Sequence, residues 1–576
     1  DPVDRHKLGA HYTPRAYVER LVMPTIVEPL RKEWDGVQAA VSNLIRQAQA
    51  AHIQADSLFE KAGPDPTKRD MVPIRKIREE ADRRDKDALA TLKAFHKRLC
   101  EVKILDPACG TGNFLYVSLE HLKRLEGEVL QALDRLTHGQ TEFGADIGRT
   151  VDPHQFLGIE KSERAAAIAE LVLWIGYLQW HFRTHGQTNP PEPIIRNSKS
   201  IECRDAVLAW DRTQPELDPE ALKPKTRWDG RTYKKSPVTG ESIPDESARV
   251  LVEKYINPRK AKWPKADFVV GNPPFIGDKM MRLTLGDEYV GTLRDTYGDE
   301  VGGSADYVLY WWHKAATLLA RNRIIRFGLI STNSISQKFN SRVIGRHLNG
   351  NRPISIVFAI PNHPWVDTSD GADVRIAMTV CAAGKISGNL SSVVNEEKGA
   401  QVDDIAIQYN NQFGDIGPNL RIGAKLFEAV SLKCSQGLHS NGVMLSGSGF
   451  IVTEGEATKL AHQGSHKING IIKPYRNGRD LTQLPRNFYV IDLYGYSEKT
   501  VREQLPEIYQ WVLTKVKPER DSNRRKSTRD NWWIFGEPRR YLRASLVGLK
   551  RYIATPETAK HRFFVFLDAS ILPDHM

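Results

Sequence analysis

Ile104-Leu105-Asp106-Pro107-Ala108-Cys109-Gly110-Thr111-Gly112-Asn113-Phe114-Leu115 reads as a short apolar strand that turns through two glycines into a helix running to Leu125. Glycine at such a turn lets the backbone approach a ligand closely, and the first helical turn offers N–H groups that have no intrahelical acceptor. A dinucleotide-binding turn would carry a third glycine three residues beyond Gly112. Leu115 stands there, which disfavours a pyrophosphate. A bare Gly-x-Gly is often no more than a tight turn. The flanking Asp106-Pro107 and Asn113-Phe114 tip this one toward a bound ligand.

Outward from that turn, short apolar runs alternate with helical stretches: 103–105, 155–159, 267–270, 324–331, 354–360 and 374–382. Strands separated by helices imply crossover connections, so the central region is expected to be an α/β fold with a doubly wound, Rossmann-like parallel sheet. The polar stretches 134–152 and 213–262 interrupt it as surface insertions. Upstream, Gly9-Ala10-His11-Tyr12-Thr13-Pro14 precede Val18, Leu21, Val22, Ile26 and Leu30 at spacings of three and four, which predicts a loop, a capping Thr and an amphipathic helix. Residues 32–99 are rich in Ala, Lys, Arg, Glu and Gln around a Gly63-Pro64-Asp65-Pro66 break, as two long helices joined by a loop would be. Beyond Gly384 the regularity fades into Gly, Asn and Ser, and a second unit of helices and strands begins near Glu454.

The chain has 576 residues, enough for three or four domains, with 40% hydrophobic and 26% charged residues. Those values exclude a peptide hormone, a disulfide mini-scaffold and wholesale disorder. No apolar run approaches the roughly 18 residues that cross a bilayer. Cys100, Cys109, Cys203, Cys381 and Cys434 are scattered and show no paired ligand spacing, so reduced thiols, a cytoplasmic location and no metal are expected. The formal charge is +12, and residues 515–562 hold fourteen Lys or Arg against five Asp or Glu. Trp532, Trp533, Phe535, Tyr541 and Tyr552 interleave with them, a composition suited to phosphate contact and base stacking. The alternative is a solvated loop whose aromatics belong to a core. The chain opens on Asp1 and stops just after a strand-like run, so a piece of a longer protein is expected.

Val269-Val270-Gly271-Asn272-Pro273-Pro274-Phe275 places two prolines directly after a buried strand. They fix φ and remove two donors, leaving a rigid loop of acceptors. An amine conjugated to an aromatic ring is a poor nucleophile because its lone pair is delocalised. The Asn272 side-chain oxygen and the Pro273 carbonyl can accept its two hydrogens and favour a tetrahedral nitrogen with a localised lone pair. Pro274 stiffens the loop, and Phe275 offers an aromatic face to a base taken out of its stack. None of the five cysteines sits in the Pro-Cys loop that methylation at a cytosine carbon would need.

These motifs resemble those of gamma-class N6-adenine DNA methyltransferases, and among them the MmeI-like type IIG and IIL restriction-modification enzymes and related phage-defence methyltransferases. The resemblance rests on the segments 8–14, 106–115, 263–279 and Asp306-Tyr307-Val308-Leu309-Tyr310-Trp311-Trp312. It implies a class I fold that takes S-adenosylmethionine, acts on double-stranded DNA by base flipping and transfers methyl to adenine N6. Catalysis would fall to Asn272, Pro273, Pro274 and Phe275. The cofactor would meet Tyr12, Thr13, Asp106, Ala108, Gly110, Gly112, Asn113, Glu160 and Asp205, with Thr13 at its carboxylate, Glu160 at the ribose and Asp205 near the adenine amino group. Trp365 suits either the extruded base or the core. The expected order is an N-terminal cofactor motif (1–31), a helical insertion (32–100), the methyltransferase domain (101–385), a connector (386–453) and a truncated α+β target-recognition domain (454–576), with other defence-system subunits as possible partners. A methyltransferase portion of a bifunctional restriction endonuclease is the main alternative; RNA or a protein glutamine is a further substrate class. Pro244-Asp245 with Glu253-Lys254 lacks the residue that separates acid from lysine in a metal-nuclease site, so cleavage is not expected.

Overall fold

The computed structural model describes residues 13–64, 67–137, 149–185, 200–217, 223–228, 232–235, 242–245, 247–365, 374–398, 405–423, 430, 432–463, 470–521, 526–559 and 561–576. The chain divides into two compact units, 1–427 and 428–576.

The first unit is built on a nine-stranded sheet. Its strands are β1 (Ile104–Asp106), β2 (Phe156–Glu160), β3 (Ile201–Cys203), β4 (Phe268–Gly271), β5 (Arg326–Thr332), β6 (Ile354–Pro364), β7 (Arg375–Ala383), β8 (Gly388–Lys398) and β9 (Ile405–Gly414). They lie in the order β9-β8-β6-β7-β5-β4-β1-β2-β3. β3, β2, β1, β4 and β5 are mutually parallel. β1 and β4 are buried along their whole length, as parallel strands covered on both faces must be. β7 runs antiparallel between β5 and β6. Only about ten residues separate β6 from β7, too few for a crossover, so the chain doubles back. The antiparallel pair β8 and β9 extends the sheet beyond β6. Part of the stretch expected to be a connector is therefore sheet.

Helices flank these strands. α1 (Arg15–Val22) passes through a π-helical turn at Met23–Val27 into α2 (Glu28–Ala62), which pairs with α3 (Lys68–Glu101). A capping box at Thr67 and Asp70 starts α3. Buried residues recur every seven positions along both: Trp34, Val41, Ala48 and Ala55 on one, Ile74, Ala81, Ala88 and Phe95 on the other. That period defines a coiled-coil seam, and its alanines let the helices approach closely. α4 (Asn113–Thr137) follows β1, α5 (Glu163–His185) follows β2, and α6 (Asp278–Leu285), α7 (Asp287–Tyr297) and α8 (Val308–Ala320) lie between β4 and β5. Short antiparallel ribbons between residues 212 and 256 form the insertion after β3. Among the described residues no helix is long and apolar enough to cross a membrane.

The second unit holds a four-stranded sheet in the order Ile451–Val452, Tyr489–Ile491, Ile472–Asn477, Leu572–Asp574. Its core includes Val443, Phe450, Ile508, Val512, Trp532 and Phe535.

Candidate active site

The carboxyl ends of β1 and β4 bring together residues far apart in sequence. Leu105 pairs with Val269, so Asp106 and Gly271 end their strands side by side. A Cβ at position 271 would collide with Asp106 Oδ1. Only glycine leaves room for the carboxylate there. Asp106 is 1% exposed; Oδ1 accepts from the Ala108 N–H at 3.0 Å, whereas Oδ2 is buried without a partner. Burial, with the negative charge of Glu160 added, pushes this carboxyl up to about 8.

Asn272 follows Gly271. Its Nδ2 donates to Thr13 Oγ1 at 3.0 Å, and its Oδ1 is buried without a partner. Asn113, at the start of α4, donates to the Thr13 carbonyl at 2.8 Å. Thr13 is 6% exposed, and Pro14, not Thr13, is the residue that precedes α1 without a side-chain cap. The expected capping role thus gives way to a more distant partner: the hydroxyl anchors the Asn272 amide. Three residues spread over 259 positions form one hydrogen-bonded chain. Tyr12 lies outside the described residues.

Glu160 organises the glycine turn. Oε2 accepts from Gly110 N at 2.9 Å, and Oε1 accepts from Lys161 N and Ser162 N at 2.8 and 2.9 Å. Gly110 and Gly112 take positive φ of 53° and 87°, and a Cβ on Gly112 would press on the Ala169 backbone at 3.2 Å. Ala108 packs against the buried cluster that includes Leu105 and Val269. Asp205 is committed to its own neighbourhood: Oδ1 accepts from Val207 N and Leu208 N, and Oδ2 accepts from Tyr289 Oη at 2.7 Å. No hydrogen bond recorded among the described residues ties it to the Thr13–Asn113–Asn272 group.

Phe275 meets Trp365 edge-on at 5.9 Å, and Trp365, 6% exposed, meets Tyr17 at 5.6 Å. The segment 306–312 supports both loops, a role the sequence did not disclose. Tyr307 N donates to the Ile276 carbonyl, Asp306 Oδ1 accepts from Asp278 N, and Trp311 Nε1 donates to the Pro107 carbonyl at 3.0 Å. In the second unit, Trp532 and Phe535 belong to the core, and Arg520, 1% exposed, donates to the Leu445 carbonyl. Arg543 binds Asp492 through two hydrogen bonds of 2.6 and 2.9 Å. Lys515, Arg540, Lys550 and Arg551 are exposed. Arg524, Arg525 and Lys560 lie outside the described residues.

The site's donor set fits a ligand that carries a cation: an orphaned buried carboxylate oxygen on Asp106, an ordered turn at the N-terminus of α4, and a carboxylate ending β2. Comparison with known proteins agrees on the fold. DNA methyltransferase A of Bacillus subtilis (strain 168) is 23% identical over 300 residues, covering 51% of this chain and 28% of that protein. The solved structure of the type IIL restriction-modification enzyme MmeI in complex with DNA aligns with a TM-score of 0.59 at 20% identity, over all of this chain and 63% of that one. This chain therefore spans less than two thirds of the length of either relative. The family model described as "MmeI, DNA-methyltransferase domain" matches residues 78–389, which include the Asp106 turn, Glu160, Asp205 and the Asn272 loop. With more than half of its length so matched, the chain belongs to the MmeI DNA-methyltransferase domain family.

Proposed function

We propose that this chain methylates adenine N6 in double-stranded DNA, using S-adenosylmethionine, within a restriction-modification or phage-defence system. The observation that carries the reading is the Asn272 amide: its nitrogen is held by Thr13, and its oxygen is buried with no partner. An unpaired buried acceptor costs about 1–3 kcal/mol, a cost that a substrate donor recovers on binding. An exocyclic amine is such a donor.

When bound, S-adenosylmethionine supplies an electrophilic sulfonium methyl. Asp106 Oδ2 would hold its ammonium group, and Glu160 would accept from ribose hydroxyls on the capacity left at Oε2. Gly110, Gly112 and Ala108 keep the turn low enough for close approach, and Asn113 holds Thr13 in place. Asp205, just past the end of β3, would lie toward the adenine of the cofactor. Asn272 Oδ1 and the Pro273 carbonyl each accept one hydrogen of the target amine, which localises the nitrogen lone pair and points it along a fixed line. Pro274 stiffens that loop, and Phe275, braced by Trp365, stacks on the flipped base. Exposed cations of the second unit contact phosphates.

Long-read modification mapping tests this in cells that express the full-length gene with its neighbours, beside the same cells carrying Asn272→Ala. N6-methyladenine in one sequence context, absent from the variant, is the expected result. A mark on another base, or an adenine mark that survives Asn272→Ala, would overturn the assignment.

A further inference from the structure

His96 and Cys100 lie one turn apart near the end of α3, and Glu126 projects from α4 opposite them. Their donor atoms sit within 4.8 Å of one another. His96 Nε2 is 3.4 Å from Glu126 Oε1, Cys100 Sγ is 3.6 Å from His96 Nε2, and Cys100 Sγ is 3.9 Å from Glu126 Oε1. The side chains of His96 and Glu126 are 12% and 4% exposed.

As a hydrogen bond the 3.4 Å between His96 and Glu126 is poor. An imidazole or imidazolium bound to a carboxylate closes to about 2.7–2.9 Å. The same carboxylate shows what it does when it does hydrogen-bond, taking Val151 N on Oε1 at 2.8 Å and Lys123 Nζ on Oε2 at 3.0 Å. As edges of one coordination tetrahedron two of the separations match, and the third, 3.9 Å between Cys100 Sγ and Glu126 Oε1, is slightly long. Zinc bonds of about 2.0–2.1 Å to nitrogen, 2.0–2.2 Å to oxygen and 2.3 Å to sulfur give edges of about 3.4 Å between nitrogen and oxygen and about 3.6 Å where sulfur takes part.

The geometry points to a zinc(II) site formed by His96, Cys100 and Glu126, which clips the last turn of α3 to α4. A mixed nitrogen, sulfur and oxygen set suits a borderline-soft dication. Three protein donors leave the fourth position to solvent, and Cys100 is partly exposed. Lys123 holds the far carboxylate oxygen and Thr150 Oγ1, so it orients Glu126 from outside the ion's first ligands. Paired-cysteine spacing, the usual sequence sign of such a site, is absent because the ligands come from two helices that meet only in the fold. The clip lies close to the chain's entry into β1, whereas Asn272 follows the exit from β4, so its role is to fix a helix and not to take part in methyl transfer.

The test uses the full chain, purified with zinc and then dialysed against metal-free buffer. One zinc per chain by elemental mass spectrometry is expected, lost in Cys100→Ser and in His96→Ala but kept in Cys434→Ser. Cobalt(II) in place of zinc should give a sulfur-to-metal charge-transfer band in the wild-type protein, absent from Cys100→Ser. Wild-type protein that retains no zinc and gives no such band would overturn the site and leave a plain polar cluster. That outcome needs no variant to fold. Zinc retained in Cys100→Ser would place the ion elsewhere.

Discussion

Asp106 is pulled two ways by burial and by the cation it is proposed to hold. With its carboxyl pushed up to about 8, the ligand-free site carries a proton at neutral pH. A cation docking on Oδ2 must expel that proton. Affinity for S-adenosylmethionine is therefore expected to rise about tenfold per pH unit below about pH 8 and then level off, with proton release seen by calorimetry in two buffers of different ionisation enthalpy. Flat affinity without proton release would remove Asp106 as the partner. The stability effect has the opposite sense: the folded carboxyl holds its proton more tightly than the unfolded one, so the ligand-free protein loses stability as pH climbs from about 4 to about 8. Asp106→Asn should raise the melting temperature at pH 8, by about 1–3 kcal/mol of stability, while weakening cofactor binding at least tenfold. Thr13 offers a cleaner separation of roles. Thr13→Val keeps the volume and removes the anchor of the Asn272 amide, so kcat should fall by about 10- to 100-fold and Thr13→Ser should restore it; equal rates in all three proteins would mean that Asn272 needs no anchor.

At the scale of elements, α8 and the two residues before it brace both loops of the site. Trp311→Phe keeps the ring in place and leaves the Pro107 carbonyl without its donor, a loss of about 1–3 kcal/mol. Denaturant unfolding should show that loss together with weaker cofactor binding, because Pro107 adjoins Asp106; a change in neither would make the contact incidental. The elements themselves were legible in uneven measure. β1, β2, β4, β5, β6 and β7 could be read directly, since strands covered on both faces are continuous apolar runs. β3 is three residues long and follows a polar stretch, and β8 and β9 hide in Asn- and Ser-rich sequence, so none of these signals itself. The glycine turn and the Asn-Pro-Pro-Phe loop were visible because local backbone demands fix their residue types. The link from Asn272 to Thr13 was not, for it joins residues 259 positions apart through one side-chain hydrogen bond.

Across the whole molecule, the basic surplus near the C-terminus serves two physical roles. Arg520 and Arg543 are structural: burial raises the Asp492 carboxyl, 4% exposed, but Arg543 and then Lys473 outweigh it and hold the group below its ordinary value. Arg543→Gln should cost about 1–3 kcal/mol in unfolding experiments, the loss of two charged hydrogen bonds, because Lys473 still pairs with Asp492 at 2.7 Å. Lys550 and Arg551 are exposed, and each changed to Gln should reduce the slope of log affinity for DNA against log salt by about 0.9 if it meets a phosphate. A slope equal to that of the wild-type protein would assign both to solvent. The backbone from Arg15 to Ala62 is one unbroken helical run, about 70 Å long at 1.5 Å per residue. In mechanical terms it is a lever pivoting at the π-helical turn, with Thr13 at the end of its short arm, so a displacement at the far tip of the hairpin is delivered, scaled down, to the hydroxyl that holds the Asn272 amide.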